Sequence, residues 1–184
     1  GVLYTGLFRS GDLTLFIDVG TNGEIVLGNQ DWLICASCSA GPAFEGGGIR
    51  WGMRAEEGAI ESVTIAPETG DAEINTIGEA APRGICGTGM IELISEMMFS
   101  GIIDPQGKFQ LLADHPRMGA VGEEPAYILA FAGQTEMDEA IVFTESDIDN
   151  LIRSKGAVYA GFTVLLNQVG VTFDMIDRVI ITGG

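Results

Sequence analysis

Leu13-Thr14-Leu15-Phe16-Ile17-Asp18-Val19-Gly20-Thr21-Asn22-Gly23-Glu24-Ile25-Val26-Leu27-Gly28 decides the reading of this chain. An apolar run ends in an aspartate, a Gly-Thr-Asn-Gly turn follows, and a second apolar run begins. Strand–turn–strand places one carboxylate at the end of a buried strand, beside a tight turn whose backbone N–H groups can face an anion. That is the chemistry of a Mg-nucleotide site. Gly20 and Gly23 let phosphate approach, Thr21 adds a hydroxyl donor, Asn22 completes the turn, and Asp18 holds metal-bound water. An ordinary hairpin with a glycine-rich turn has the same outline.

The chain closes with Arg178-Val179-Ile180-Ile181-Thr182-Gly183-Gly184, a short apolar strand running into two glycines. Glycines directly after a buried strand permit close approach of a ligand or helix. Asp-x-Gly-Thr at one strand end and strand-Gly-Gly near the other terminus resemble two nucleotide motifs of the superfamily that holds sugar and acetate kinases, heat-shock chaperone ATPases and actin. The resemblance implies that the Asp18 turn holds phosphate and that Gly183 and Gly184 hold adenosine.

Intervening stretches narrow the match. Cys35-Ala36-Ser37-Cys38-Ser39-Ala40-Gly41-Pro42-Ala43-Phe44-Glu45-Gly46-Gly47-Gly48-Ile49 leads to Gly52-Met53-Arg54-Ala55 and Gly58-Ala59-Ile60. Later come Pro82-Arg83-Gly84-Ile85-Cys86-Gly87-Thr88-Gly89-Met90 and Gly101-Ile102-Ile103-Asp104. In this order the set resembles the C-terminal part of the ATP-dependent reductive activators of corrinoid proteins. The resemblance implies ATP and Mg²⁺ as cofactors, a corrinoid protein as partner, and an iron–sulfur cluster confined to an N-terminal domain outside these residues. Nucleotide hydrolysis would be coupled to one-electron reduction of an oxidised cobalt centre, returning it to Co(I). Two other readings stay open: a small-molecule kinase lobe of the same superfamily, though no sugar-contacting constellation is recognisable, and a non-catalytic interaction module.

Composition sets the bounds. The 184 residues suit one domain, and 46% hydrophobic content supports a sizeable core. No apolar run reaches the ~20 residues of a membrane span. The net charge of −17 argues against nucleic acid and anionic membranes as partners. It also opposes ATP, so phosphate must be held by Mg²⁺ and local N–H groups. Self-association into a homodimer is left open.

Cys35, Cys38 and Cys86 are an odd set without secretory context, which predicts a reducing cytoplasm. Cys35-x-x-Cys38 invites a metal reading, but residues three apart on a strand point to opposite faces. Buried, inert thiols are expected. His115 receives no function.

The expected architecture is α/β, a mixed sheet of the ribonuclease-H type flanked by helices. Strands are predicted at Leu13–Asp18, Glu24–Leu27 and Trp32–Cys38, with a short helix from Pro42 stopped by Gly46-Gly47-Gly48. A quiet, peripheral hairpin is expected over Ala59–Ile65 and Ala72–Ile77. A helix from Thr88 or Gly89 to Ser100 should bury Ile91, Ile94, Met97 and Met98. Further strands are predicted at Tyr127–Phe131 and Ala140–Phe143. Thr144-Glu145-Ser146-Asp147 resembles a capping box opening the clearest helix, with Ile148, Leu151, Ile152, Tyr159, Phe162, Leu165, Leu166 and Val169 at three- and four-residue steps. Gly156, Ala157, Ala160 and Gly161 keep it thin, either for a crossing at the hinge between lobes, as the superfamily has, or for packing on the sheet. Strands Leu13–Asp18 and Val179–Thr182 are expected to be central, because they carry ligand groups at their C-terminal ends.

The superfamily builds its site from two lobes, each with an Asp-x-Gly-Thr-like turn, and this chain has one. The expectation is a single-domain C-terminal lobe over residues 1–184, truncated at both ends, that does not turn over alone.

Overall fold

The computed structural model describes residues 6–20, 22–39 and 41–183. They form two compact units, one of residues up to Gly41 together with Arg153 onward, the other Pro42–Ile152.

The first unit is built on a four-stranded mixed sheet. Strands β1 (Thr14–Val19), β2 (Gly23–Gly28) and β3 (Leu33–Cys38) form an antiparallel meander, and β10 (Arg178–Gly183) lies parallel to β1, giving the order β10-β1-β2-β3. Period-2 alternation divides its side chains. Leu15, Ile17, Ile25 and Leu27 form a core with Leu165 and Leu166 of the long helix α2 (Glu145–Val169). Phe16, Asp18, Glu24 and Val26 alternate with them and face the other way. Gly161 gives the close approach here. A Cβ on it would stand 2.9 Å from Ile25 Cδ1 and 3.2 Å from Cys38 Cβ, whereas one on Gly156 would meet nothing. The small residue at 161 therefore serves packing on the sheet. Of the two strands expected at the centre, β1 is central and β10 is an edge strand among the described residues. Parallel pairing requires only one neighbour, and β1 supplies it.

The second unit holds two three-stranded sheets. In one, β4 (Ala59–Ile65) lies between β5 (Ala72–Thr76) and the two-residue β6 (Gly84–Ile85). In the other, β8 (Glu124–Ala130) lies between β7 (Met118–Val121) and β9 (Ile141–Thr144). β6 pairs only with Ala59 and Ile60, so among the described residues no strand lies beside the rest of that edge of β4. Helix α1 (Gly87–Phe99) satisfies it instead: Glu92 accepts from the Val63 N–H at 2.9 Å and Glu96 from the Ile65 N–H at 2.8 Å. This fixes which face of α1 is inside. Met90, Leu93 and Met97 are buried, while Ile91 and Met98, expected inside, are 57% and 50% exposed. Placing the buried stripe one residue off rotates the helix by 100°. The hairpin of β4 and β5 is not peripheral either, since Ile60, Val63 and Ile65 belong to the main core.

The capping box is present in its aspartate form. Thr144 Oγ1 accepts from the Asp147 N–H at 3.1 Å, and Asp147 Oδ2 accepts from the Thr144 N–H at 3.0 Å. Asp147 Oδ1 also accepts from the Arg50 N–H at 3.0 Å, tying a distant loop to the helix start. Glu124 accepts from the Ser146 N–H at 2.7 Å, and hydrogen bonding from the Ser146 side chain, then from that N–H, holds its carboxyl below the usual range. No described helix is long and apolar enough to cross a membrane.

Candidate functional site

The site follows from one register. β1 and β10 run parallel with Asp18 beside Thr182 and Val19 beside Gly183. The two motifs therefore leave the sheet at the same level on neighbouring strands, at their C-terminal ends, where open α/β sheets bind ligands. Thr21 and Gly184 lie outside the described residues.

The row through Asp18 crosses all four strands: Thr182, Asp18, Glu24 and Ser37 are successive register partners. Each bears an oxygen, and all project from the face opposite α2. The preceding row on that face is Ile180, Phe16, Val26 and Cys35, which carries no oxygen. Asp18 is half-buried and Glu24 exposed. Hard oxygen donors without imidazole or thiol in the row suit Mg²⁺, which keeps several waters and takes one or two carboxylates, the phosphates supplying the rest. Among the described residues no three His, Cys, Asp or Glu converge on one point. The donor set thus fits a water-held Mg²⁺, not an all-protein cage.

The Gly20 N–H donates to the Asn22 carbonyl at 2.9 Å. Gly23 is buried and faces α2. A Cβ there would stand 2.7 Å from Cys38 Sγ and 3.1 Å from Val158 Cγ2. This glycine has a packing reason, which the sequence pattern alone does not reveal.

The two thiols of Cys35-x-x-Cys38 do take opposite faces of β3. Cys38 contacts the Gly23 carbonyl at 3.3 Å, on the α2 side. Cys86 is buried, but Cys35, expected to be buried, is exposed, on a strand that is an edge among the described residues.

A concavity of about 570 Å³ in the second unit is lined in part by Thr64, Asn75, Thr76, Arg117 and Gln134. Arg117, 8% exposed, is engaged from several sides. Its Nε donates to Asp71 at 3.0 Å, its Nη1 to the carbonyls of Ile128 and Leu129 at 3.1 Å each, and its Nη2 to the Ala72 carbonyl at 3.2 Å. The guanidinium holds the Asp71 carboxyl below the usual range. His115 Nδ1 accepts from the Arg117 N–H, so its Nε2 carries the proton and donates to the Thr69 carbonyl at 2.8 Å. Tyr127 donates to the Gly70 carbonyl at 2.7 Å, and burial pushes its phenol up to about 12. These side chains latch the β4–β5 turn to the neighbouring sheet. The sequence gives little warning of the latch, because its members are spread over distant loops and strands.

Comparison with known proteins places this geometry. A family model described as the C-terminal domain of RACo, the ASKHA domain, matches residues 12–184. The chain is 35% identical over 185 residues to the corrinoid activation enzyme RamQ of Eubacterium limosum, covering 97% of this chain and 31% of that protein. It is 26% identical over 204 residues to the [Co(II) methylated amine-specific corrinoid protein] reductase of Methanosarcina barkeri, covering 99% and 34%. A solved structure, a reductive activator for corrinoid, iron-sulfur protein, superimposes with a TM-score of 0.92 at 49% identity, over 98% of this chain and 29% of that one. The chain thus spans about a third of the length of these relatives. The chain belongs to the RACo C-terminal ASKHA family, and its fold is the actin-like one expected from the two motifs.

Proposed function

We propose that this chain supplies the C-terminal lobe of the nucleotide site in an ATP-dependent reductive activator, which returns an oxidised cobalt corrinoid protein to Co(I). The observation that carries the reading is the parallel pairing of β1 with β10, which sets the Asp18 turn and the Gly183 strand end side by side. Relatives whose names describe corrinoid activation and corrinoid protein reduction support the partner. In this reading Gly183 and Gly184 border the adenosine, Gly20 to Gly23 border phosphate, and the Asp18 carboxylate orients water. Mg²⁺, when bound, neutralises phosphate charge that a chain of net charge −17 would otherwise repel. An iron–sulfur domain elsewhere in the full-length protein supplies the electron.

Asp18→Asn in the full-length protein tests this. It keeps shape and hydrogen bonding and removes the charge. ATP hydrolysis should fall at least ~100-fold, the scale of one electrostatic transition-state contact. Co(I) formation should fall with it, while reduction of the iron–sulfur centre stays intact. Phosphate release and cobalt(I) absorbance, read in one sample series, decide the matter. Full hydrolysis by a well-folded variant removes Asp18 from the mechanism.

A further inference from the structure

We propose that the outer edge of β5 and the groove beside it take a short, extended, basic segment of a partner protein as an added β-strand. The site is independent of the nucleotide reading, and all its residues lie in the second unit. The groove of about 570 Å³ is lined by every residue of β5, Ala72–Thr76, together with Pro82, Arg117 and Leu129 among others. Successive side chains of a strand point to opposite faces. A cavity that touches every residue of one strand therefore runs along its edge, and β5 is an edge strand among the described residues. Hydrogen bonding fixes which main-chain groups open on that edge. Ala72 lies opposite Ile65, and the Ala66 N–H donates to the Asp71 carbonyl at 2.9 Å, so Asp71 faces β4. Bonded and non-bonded pairs alternate along an antiparallel ladder. Glu73 then faces β4 as well, while Ala72 and Ile74 face outward. The Ala72 carbonyl agrees with this phase, since it accepts from Arg117 Nη2 at 3.2 Å. Next along the edge, the N–H and C=O of Ile74 open on the groove without a partner among the described residues.

This sheet treats its two edges differently. On the far side, Glu92 and Glu96 of α1 accept from the Val63 and Ile65 N–H groups of β4. Ala72-Glu73-Ile74-Asn75-Thr76 has no such cover beyond Ala72, and it holds neither proline nor lysine, two residues that commonly blunt an edge. Open main chain beside a partly apolar groove is the arrangement that binds peptides by strand addition. Charge selects the occupant. A residue paired with Ile74 has its side chain on the core-facing side, where Ile74 itself packs. Its two neighbours then stand on the outer side, across from Glu73 and Asn75, which are both exposed. Glu73 has no ion-pair partner among the described residues, and Arg117, the cation of the groove, is already paired with Asp71 at 3.0 Å. Opposite charges directly across two strands attract. Lysine or arginine on both sides of a small apolar residue is the complementary pattern. A second copy of this chain fits poorly, because each copy carries a net charge of −17.

The experiment uses the full-length protein and a labelled peptide, Ser-Lys-Val-Lys-Ser, whose central valine falls opposite Ile74. Fluorescence anisotropy reads affinity, and hydrogen exchange by mass spectrometry locates the site. The peptide should bind, more weakly as salt rises, and should slow exchange of an amide in the fragment that covers β5 while leaving β1 to β3 unchanged. Glu73→Lys turns a cross-strand attraction into repulsion and should weaken binding about tenfold. Ile74→Pro removes the outward N–H without touching the ladder to β4, a position where an edge strand tolerates proline, and should weaken binding at least ~fivefold. If that variant melts below wild type, a peptide N-methylated at its valine asks the same question of unaltered protein, and it should lose at least ~fivefold as well. An acidic peptide, Ser-Glu-Val-Glu-Ser, should bind at least ~tenfold more weakly than the basic one. No binding by the wild type overturns the proposal, as does equal binding of the basic, acidic and N-methylated peptides. Protection that falls outside β5 overturns it too. If sedimentation shows a wild-type dimer that Ile74→Pro dissociates, the edge pairs with a second copy, and the peptide reading is wrong.

Discussion

Gly23→Ala separates two explanations of one glycine. A Cβ at this position would stand 2.7 Å from Cys38 Sγ and 3.1 Å from Val158 Cγ2, where ordinary contacts begin at 3.4 Å. Neither neighbour yields freely. Cys38 Sγ is engaged with the Gly23 carbonyl at 3.3 Å. Val158 is β-branched on a helix and holds one strongly preferred χ1 rotamer. Gly23 itself is fixed by pairing with Val19 on one side and Cys38 on the other. Overpacking of this kind costs about 1–3 kcal/mol, and about 2 is expected here. Tenfold corresponds to about 1.4 kcal/mol, so amides of the β1–β2–β3 ladder should exchange hydrogen roughly 30-fold faster. Hydrogen exchange by mass spectrometry on the full-length protein reads this locally, without assuming two-state unfolding of a larger chain. Adding Cys38→Ala removes the nearer clash and should restore more than half of the protection, a coupling within the range for residues in contact. Exchange rates unaltered in Gly23→Ala would refute the packing argument. The doubly substituted protein then decides the second question. If its ladder is protected again and MgADP binds as in wild type, Gly23 is glycine for packing. If protection returns but affinity stays more than tenfold down, the missing side chain serves phosphate approach.

Three further substitutions or titrations follow from the geometry. Asp147→Ala removes the acceptor for the Thr144 and Arg50 N–H groups and should cost about 2 kcal/mol, the upper end for a helix cap, seen as faster exchange in the first turn of α2. Tyr127 has a phenol raised to about 12 by burial, so its contribution to stability is complete below about 10, the value in an unfolded chain, and is lost as pH rises from there to about 12. Ultraviolet absorbance of the phenolate should show one late-titrating tyrosine, absent in Tyr127→Phe. The paired variant Cys35→Ser with Cys38→Ser should leave iron content and visible absorbance of the full-length protein unchanged, because the thiols point to opposite faces of β3. Loss of the cluster bands would contradict that geometry.

What the sequence makes legible is what short apolar runs and local turn and cap residues encode. The strands at Thr14–Val19, Gly23–Gly28 and Leu33–Cys38 are short, largely apolar runs, and their turns are punctuated by Gly20-Thr21-Asn22 and Asn29-Gln30-Asp31. The Thr144–Asp147 cap is local and therefore readable. The site is legible as two motifs, but their adjacency is not: only the β1–β10 pairing across more than a hundred residues brings Asp18 to Thr182. β7 escapes notice because Met118-Gly119-Ala120-Val121 has neither β-branched density nor a long apolar run. The inner face of α1 is misplaced because Ile91 and Met98 compete with Met90, Leu93 and Met97 for the apolar stripe, and Glu92 and Glu96 settle the matter through bonds to a strand edge that sequence cannot show.

The stretches that most specifically carry the family resemblance are not those proposed above to hold the nucleotide. Gly46 and Gly52 stand back to back: a Cβ on either would come within 2.3 Å of the other's backbone. A Cβ on Gly84 would lie 2.5 Å from the Trp51 carbonyl, and one on Gly89 2.3 Å from that of Ile60. Backbone bonds close the same knot, with the Ile85 N–H donating to Trp51, the Met53 N–H to Ile85 and the Cys86 N–H to Ile60. Four glycines in three separated motifs thus let three chain segments meet at main-chain distance beneath the start of α1. A side chain at any of them must displace backbone, which cannot rotate away as a side chain can. The constraint on residue type is therefore stricter here than at the Asp18 turn, where a carboxylate and small residues suffice for the chemistry. A long, glycine-rich signature identifies how this chain is packed, whereas the proposed nucleotide site rests on the short polar row at the end of β1.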